Sequence, residues 1–183
     1  MKLVAGLLLL GLVGACGSQR PPAEVVRRTN FANGKPWSEI HYQHGRPDGL
    51  WTTWYESGQP ASRGAYDDGA QTGRWQRWHA SGEIASDAHY REGVLDGDYD
   101  EHWPSGKLKS HGNYRMGRCE GLWAEYSRTG QKLIEGSYKD GERHGIWSAW
   151  KEDGSVRGHA VYEKGVIVTG AARQAALDAA GIK

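Results

Sequence analysis

Glycine returns at a fixed interval in this chain. One series stands at positions 34, 58, 82, 106, 130 and 154, every step 24 residues. A second comprises Gly45, Gly69, Gly93, Gly117, Gly141 and Gly165, and a third Gly49, Gly73, Gly97, Gly121 and Gly145. Tyrosine keeps the same interval at Tyr42, Tyr66, Tyr90, Tyr114, Tyr138 and Tyr162, as do the rings Trp51, Trp75, Tyr99, Trp123 and Trp147. An ungapped 24-residue period requires a solenoid or array of one repeated supersecondary unit.

Each unit reads Y-x-x-G-x-x-x-G-x-W-x-x-W/Y-x-x-x-G before the next tyrosine. Asn33-Gly34, Asp68-Gly69, Asp140-Gly141 and Asp153-Gly154 are dipeptides favoured in tight hairpin turns, where φ is positive. The segments between turns have strand length, so each unit is predicted to be a β-hairpin, and the glycine spacing excludes helix. Side-chain parity places Ser62, Gly64 and Tyr66 on one face, with Ser86, Ala88 and Tyr90 and then Ser110, Gly112 and Tyr114 in equivalent places. Small residues there leave room for the rings of Trp51, Trp75, Trp123 and Trp147. The pairs Trp51/Trp54, Trp75/Trp78 and Trp147/Trp150 are three residues apart, so a bulge is needed to bring both members to one face.

Nine tryptophans and nine tyrosines stand against a single phenylalanine, so rings over glycine and serine are expected to replace an aliphatic core. Basic and acidic side chains, 23 and 22, are interspersed to a net charge of +1. That balance lacks the basic stripe of a nucleic-acid binder, and the aromatic content argues against disorder. The first residues differ: "MKLVAGLLLLGLVGAC" has one charge, Lys2, and then an apolar run from Leu3 to Val13. The run is too short to span a bilayer and suits a signal peptide over residues 1–15.

The repeat pattern resembles MORN repeats, most closely the bacterial variant in proteins labelled YwqK-type antitoxins, over residues 31–170. The resemblance implies an all-β, elongated, single-layer antiparallel sheet of tandem 24-residue hairpins. The third unit departs from the pattern, with His102 in the second aromatic slot and Trp103 after it, and the opening unit supplies only a second strand. "LVGAC" is similar to a bacterial lipobox, which implies that Cys16 becomes an acylated mature N-terminus. Gly17 replaces the aspartate often used for inner-membrane retention, so the resemblance favours the outer membrane, on its periplasmic or surface face. Residues 16–30 then read as the lipidated cysteine and a flexible tether, and residues 171–183, rich in alanine and ending near Gly181, as a short helix covering the last strand. The other cysteine, Cys119, falls at a variable position and is expected in a turn.

Catalytic signatures are missing from the sequence, and no cofactor is expected. Asp96, Asp98 and Asp100 repeat the opening of a calcium loop, but Glu101 takes the place of its glycine and Lys107 that of its last glutamate. His41 and His89 hold matching slots two units apart, too distant to share a metal. The expectation is therefore binding without catalysis. The leading partner is an unidentified envelope protein met by a membrane-anchored interaction scaffold, with no nucleic acid involved. A cognate toxin, as the family label implies, and cell-wall glycan stacked on aromatics are the alternatives. Within the frame of Gly45, Gly69, Gly93, Gly117, Gly141, Tyr66, Tyr90, Tyr114, Tyr138, Trp51, Trp75, Trp123 and Trp147, one slot varies: Tyr55, His79, Trp103, Ser127, Lys151. Tyr55, His79 and Trp103 are the expected partner contacts, because exposed aromatic groups concentrate binding energy.

Overall fold

The structure is a computed structural model that describes residues 24–182; Cys16 and the proposed signal peptide lie outside them. The chain runs β1 (Glu24–Asn30), β2 (Pro36–Gln43), β3 (Arg46–Trp54), β4 (Pro60–Asp67), β5 (Ala70–Trp78), β6 (Ile84–Arg91), β7 (Val94–His102) and β8 (Leu108–Arg115). It continues through β9 (Arg118–Tyr126), β10 (Lys132–Lys139), β11 (Glu142–Trp150), β12 (Val156–Glu163), β13 (Val166–Val168) and α1 (Gly170–Ala179). The strands form one open sheet in chain order, every neighbour antiparallel. Twelve strand spacings carry it about 58 Å along its hydrogen-bonding direction.

Two kinds of turn alternate, and the two main glycine series divide between them. In the first kind both central residues have positive φ, as in Asp68 (44°) with Gly69 (91°) and Glu92 (50°) with Gly93 (81°). This is the type I′ hairpin, whose twist matches that of the flanking strands. Asn33-Gly34 and Asp153-Gly154, expected to make the same turn, belong to the second kind. There Tyr55 N donates to Gln59 O and Gly58 N to Tyr55 O, a three-residue loop with glycine alone at positive φ. Such loops close with the glycine in a bulge.

The third glycine series lies inside strands. Ile40 faces Trp51 and Tyr42 faces Pro47, so the single residue His41 opposes Asp48, Gly49 and Leu50. Gly49 has φ 98° there, and the same shift recurs on β5, β7, β9 and β11. A second shift, one residue wide, falls between Thr53 and Trp54 and between Arg77 and Trp78. The extra residue lies on the partner strand, Ala61 on β4 and Ala85 on β6, and not on the strand that carries the rings.

Alternation about these bulges gives the sheet two unlike faces. On one, the rings gather; Trp75, Trp123 and Trp147 are buried there although, among the described residues, no second sheet covers them. On the other, charged groups pair across strands. Arg74 grips Asp87 through two nitrogens, holding its carboxyl below the usual carboxylate range, Arg28 Nε donates to Glu39 at 2.6 Å, and His111 meets Asp100 at 2.6 Å. Asp87 and Asp100 stand directly opposite each other, and these outer partners offset their repulsion.

Three expectations change. Residues 24–30, read as part of the tether, form β1 and complete the first hairpin, pairing with β2 from Glu24–Gln43 to Asn30–Pro36. Cys119 sits in β9 opposite Tyr114, not in a turn. The terminal helix packs on β12, where Leu177 and Val161 are buried, and leaves β13 open, with Val166 69% and Ile167 56% exposed. Its C-terminus closes as expected at Gly181 (φ 70°), with Ile182 N bonded to Leu177 O at 3.0 Å.

Candidate functional site

The ring face is built by a pairing rule. Three tryptophans cross to the neighbouring strand and lie over its glycine: Trp75 over Gly64, Trp123 over Gly112, Trp147 over Gly136. A Cβ at those glycines would meet the ring at 2.1, 2.0 and 2.2 Å, so nothing larger than hydrogen fits. Where β6 carries Ala88, the ring opposite is the narrower Tyr99. Two substitutions in separate strands compensate each other.

Tyrosines join these rings edge-on. Trp51, Tyr66, Trp75 and Tyr90 make one ladder, with centroids 5.2–6.4 Å apart, and Tyr99, Tyr114, Trp123, Tyr138, Trp147 and Tyr162 another at 5.0–6.4 Å. Among the described residues, ring pairs stop at Tyr90 and resume at Tyr99. Burial raises the hydroxyl pKa of Tyr66, of Tyr99 and of Tyr114, helped at Tyr99 by the Glu101 carboxylate and at Tyr114 by the Cys119 thiol beside it. The Arg143 guanidinium lies 4.3 Å from the Trp147 ring centroid, a cation–π seat at the far end.

Both long edges carry clasps between units. On the type I′ edge, Gly69 N donates to Pro47 O at 2.7 Å and Gly93 N to Gln71 O at 2.9 Å, each reaching back 22 residues. On the other edge the varying slot reaches forward 23. Tyr55 Oη donates to Trp78 O at 2.6 Å, His79 Nε2 meets His102 O at 2.9 Å, and Trp103 Nε1 donates to Tyr126 O at 3.1 Å. The three expected contact residues are therefore half-buried fasteners between units. Three unlike side chains share that slot because each carries a donor at the right reach. Ser127 instead turns inward on its own loop, bonding Thr129 and the Gln131 amide.

Tyr55 and His79 also help to wall a cleft of about 350 Å³ on the ring face, beside the break in the ladder. Trp103 is not among its lining residues; its ring stands under Lys109 and Arg128, 5.2 and 5.0 Å from its centroid. Ser62, Arg77, Trp78, Ser86, Tyr99 and Glu101 complete the cleft. Register explains the arrangement: Ser62 faces Arg77, Arg77 faces Ser86, and Ser86 faces Glu101, one row along from the rings. Glu101 is held by Lys109 Nζ at 2.8 Å, while Arg77 forms no ion pair among the described residues. The lining is mainly polar, with hydroxyls, an arginine and one carboxylate converging beside the Trp78 and Tyr99 rings, and a few placed polar groups of this kind fix a ligand's orientation. Sequence reasoning did not join Arg77, Trp78, Tyr99 and Glu101 into a site, although Ala88 and Tyr99, two departures from the repeat, mark the place.

Among the described residues no three potential metal ligands cluster. The family model described as MORN repeat variant matches residues 23–44, 47–68, 71–92 and 120–140. The interval between its last two matches, 93–119, holds the Tyr99 side of the cleft. No curated protein matches the chain.

Proposed function

We propose that this chain, whose hairpins match the MORN repeat variant, is a lipid-anchored scaffold of the cell envelope that binds a protein partner on its ring face without catalysis. MORN-type repeats make a repeat-based binding scaffold. One observation carries the choice of face: the only break in the ring ladder among the described residues coincides with a cleft bearing an unpaired arginine. Regular repetition elsewhere covers that face with its own rings. The anchor rests on "LVGAC" after the apolar run, and three acyl chains at Cys16 would hold the chain firmly to a membrane.

Crosslinking and pull-down from the native envelope test the reading. Arg77→Ala and Glu101→Ala should lose the enriched protein while keeping the fold; Tyr55 and His79 are poorer choices, because their loss also opens the unit edge. Cys16→Ala should abolish palmitate labelling. Unchanged labelling and membrane fractionation would end the lipoprotein reading.

Glycan is the second reading, favoured by Trp78 and Tyr55 flanking polar groups in a cleft of saccharide size. Saturable quenching of tryptophan fluorescence by purified cell-wall glycan, with no protein enriched over an unrelated lipoprotein, would replace the first reading by this one.

A further inference from the structure

The last hairpin is unfinished. β13 pairs only with Val161, Tyr162 and Glu163, so among the described residues no strand flanks β12 from Val156 to Ala160 on the side away from β11. One carbonyl on this stretch, that of His159, accepts a hydrogen bond from Arg173 Nη2 of α1 at 3.1 Å.

The ring series is unfinished at the same place. Gly64, Ala88, Gly112 and Gly136 each lie under a ring from the following strand, and Ala160 is the next member. Its ring would stand 24 residues after Trp147, at position 171, which is an alanine of α1. A cavity of about 270 Å³ lies there, lined by Trp147, Ala149, Gly158, Ala160 and Tyr162 and flanked by Arg143 and Arg157. No carboxylate lines it, and Arg157 is exposed and forms no ion pair among the described residues.

We propose that the free edge of β12 is a strand-addition site for an extended segment of a partner protein that carries one aromatic side chain between acidic residues. Backbone pairing along an open edge supplies affinity, and a side-chain slot beside it supplies specificity. Every equivalent slot within the sheet is filled by a tryptophan or tyrosine from the next strand, so the site continues the interface by which the units already hold one another. Two arginines without a carboxylate select the acidic flanks. A second copy fits poorly: the other open edge of the sheet, β1, reads EVVRRTN, with no ring and with Arg27 and Arg28 facing two more arginines. Arg173 guards the edge in the absence of a partner.

The inference rests on the reading of the chain as a protein-binding scaffold, and not on its envelope address. A peptide with the sequence VLDGDYDEH, which this chain itself uses as β7, has the required pattern and serves as the probe. Titrated into the full chain, it should change tryptophan fluorescence saturably, and the peptide with its tyrosine replaced by alanine should not. Arg157→Glu, on an exposed side chain, should weaken binding about tenfold. Arg173→Ala should tighten it about fivefold by removing one competing hydrogen bond. Ala160→Phe, filling the slot, should abolish the response, with circular dichroism reporting that the sheet persists. No response from the wild-type chain, or one indifferent to the peptide's tyrosine and to Arg157, overturns the proposal. So does self-association of the chain lost in Ala160→Phe without any peptide response, which assigns the edge to a second copy. An envelope pull-down that still enriches a protein after a failed peptide titration removes this site and leaves the scaffold reading standing.

Discussion

Trp147 lies flat across Gly136, so close that a β-carbon on the glycine would come within 2.2 Å of the ring. The indole nitrogen then donates to Ser137 O at 3.0 Å, fixing the ring's direction, and the tryptophan keeps only 3% of its surface exposed. A single-layer sheet thus makes a dry interior out of backbone and ring.

That relationship is coupled, and the coupling is measurable. Gly64→Ala should destabilise the sheet by about 2 kcal/mol through overpacking under Trp75. Trp75→Tyr alone should cost a comparable amount by opening a gap. Combined, they recreate the Ala88–Tyr99 pair, so the double variant should be more stable than the sum of the single losses predicts. Denaturant melts of the four proteins test this, and strict additivity would refute the pairing rule.

Met116 occupies the first central position of a type I′ turn at φ 49°, with 76% of its surface exposed. A methionine there bears left-handed strain with no packing in return. Met116→Asn should stabilise by about 1 kcal/mol, since asparagine tolerates that conformation. A rise in the urea midpoint at constant slope would show it.

Gly93 separates strain from crowding. It has φ 81°, and a β-carbon there would approach nothing nearer than the Ala70 Cβ at 3.9 Å. Gly93→Val should therefore cost about 1–2 kcal/mol from backbone conformation alone. In an array each unit touches only its neighbours, so hydrogen exchange should rise in β6 and β7 and the adjoining strands while β1 and β12 stay protected. Uniform loss along the chain would contradict the array.

Alkali should open the sheet. Tyr66, Tyr99 and Tyr114 have hydroxyl pKa values raised above the ordinary 10.0 by burial. Their stabilising share is complete below the unfolded value and is lost as pH climbs from about 10 towards the folded values. Tyrosinate absorbance should rise cooperatively with loss of the β signal. Titration of all tyrosines as in free peptides, before any unfolding, would count against a buried ladder.

The period made most of the fold legible. Gly69 was identified as a positive-φ turn residue because aspartate precedes it between strand-length runs, and Gly93 holds the same slot 24 residues on. β1 escaped because EVVRRTN carries no glycine or ring in any repeated slot, and its strand character comes only from pairing with β2. The roles of Tyr55, His79 and Trp103 escaped for another reason. Tyrosine, histidine and tryptophan look unrelated in a column of residues, and only their common reach to a carbonyl 23 residues on makes them equivalent. Cleft residues such as Arg77 and Glu101 became neighbours through a register that bulges shift, which no simple count along the chain predicts.

The clasp from Gly93 N back to Gln71 O, repeated at Gly69, Gly117, Gly141 and Gly165, constrains how such a chain can change length. Inserting or deleting one residue in a unit throws the donor whose 22-residue reach spans that point out of step with its carbonyl. Adding or removing all 24 leaves each bond its partner and alters the sheet by two strand spacings, about 10 Å. Length in this architecture is quantised, and duplication of a whole unit is the change that leaves every hydrogen bond as it was.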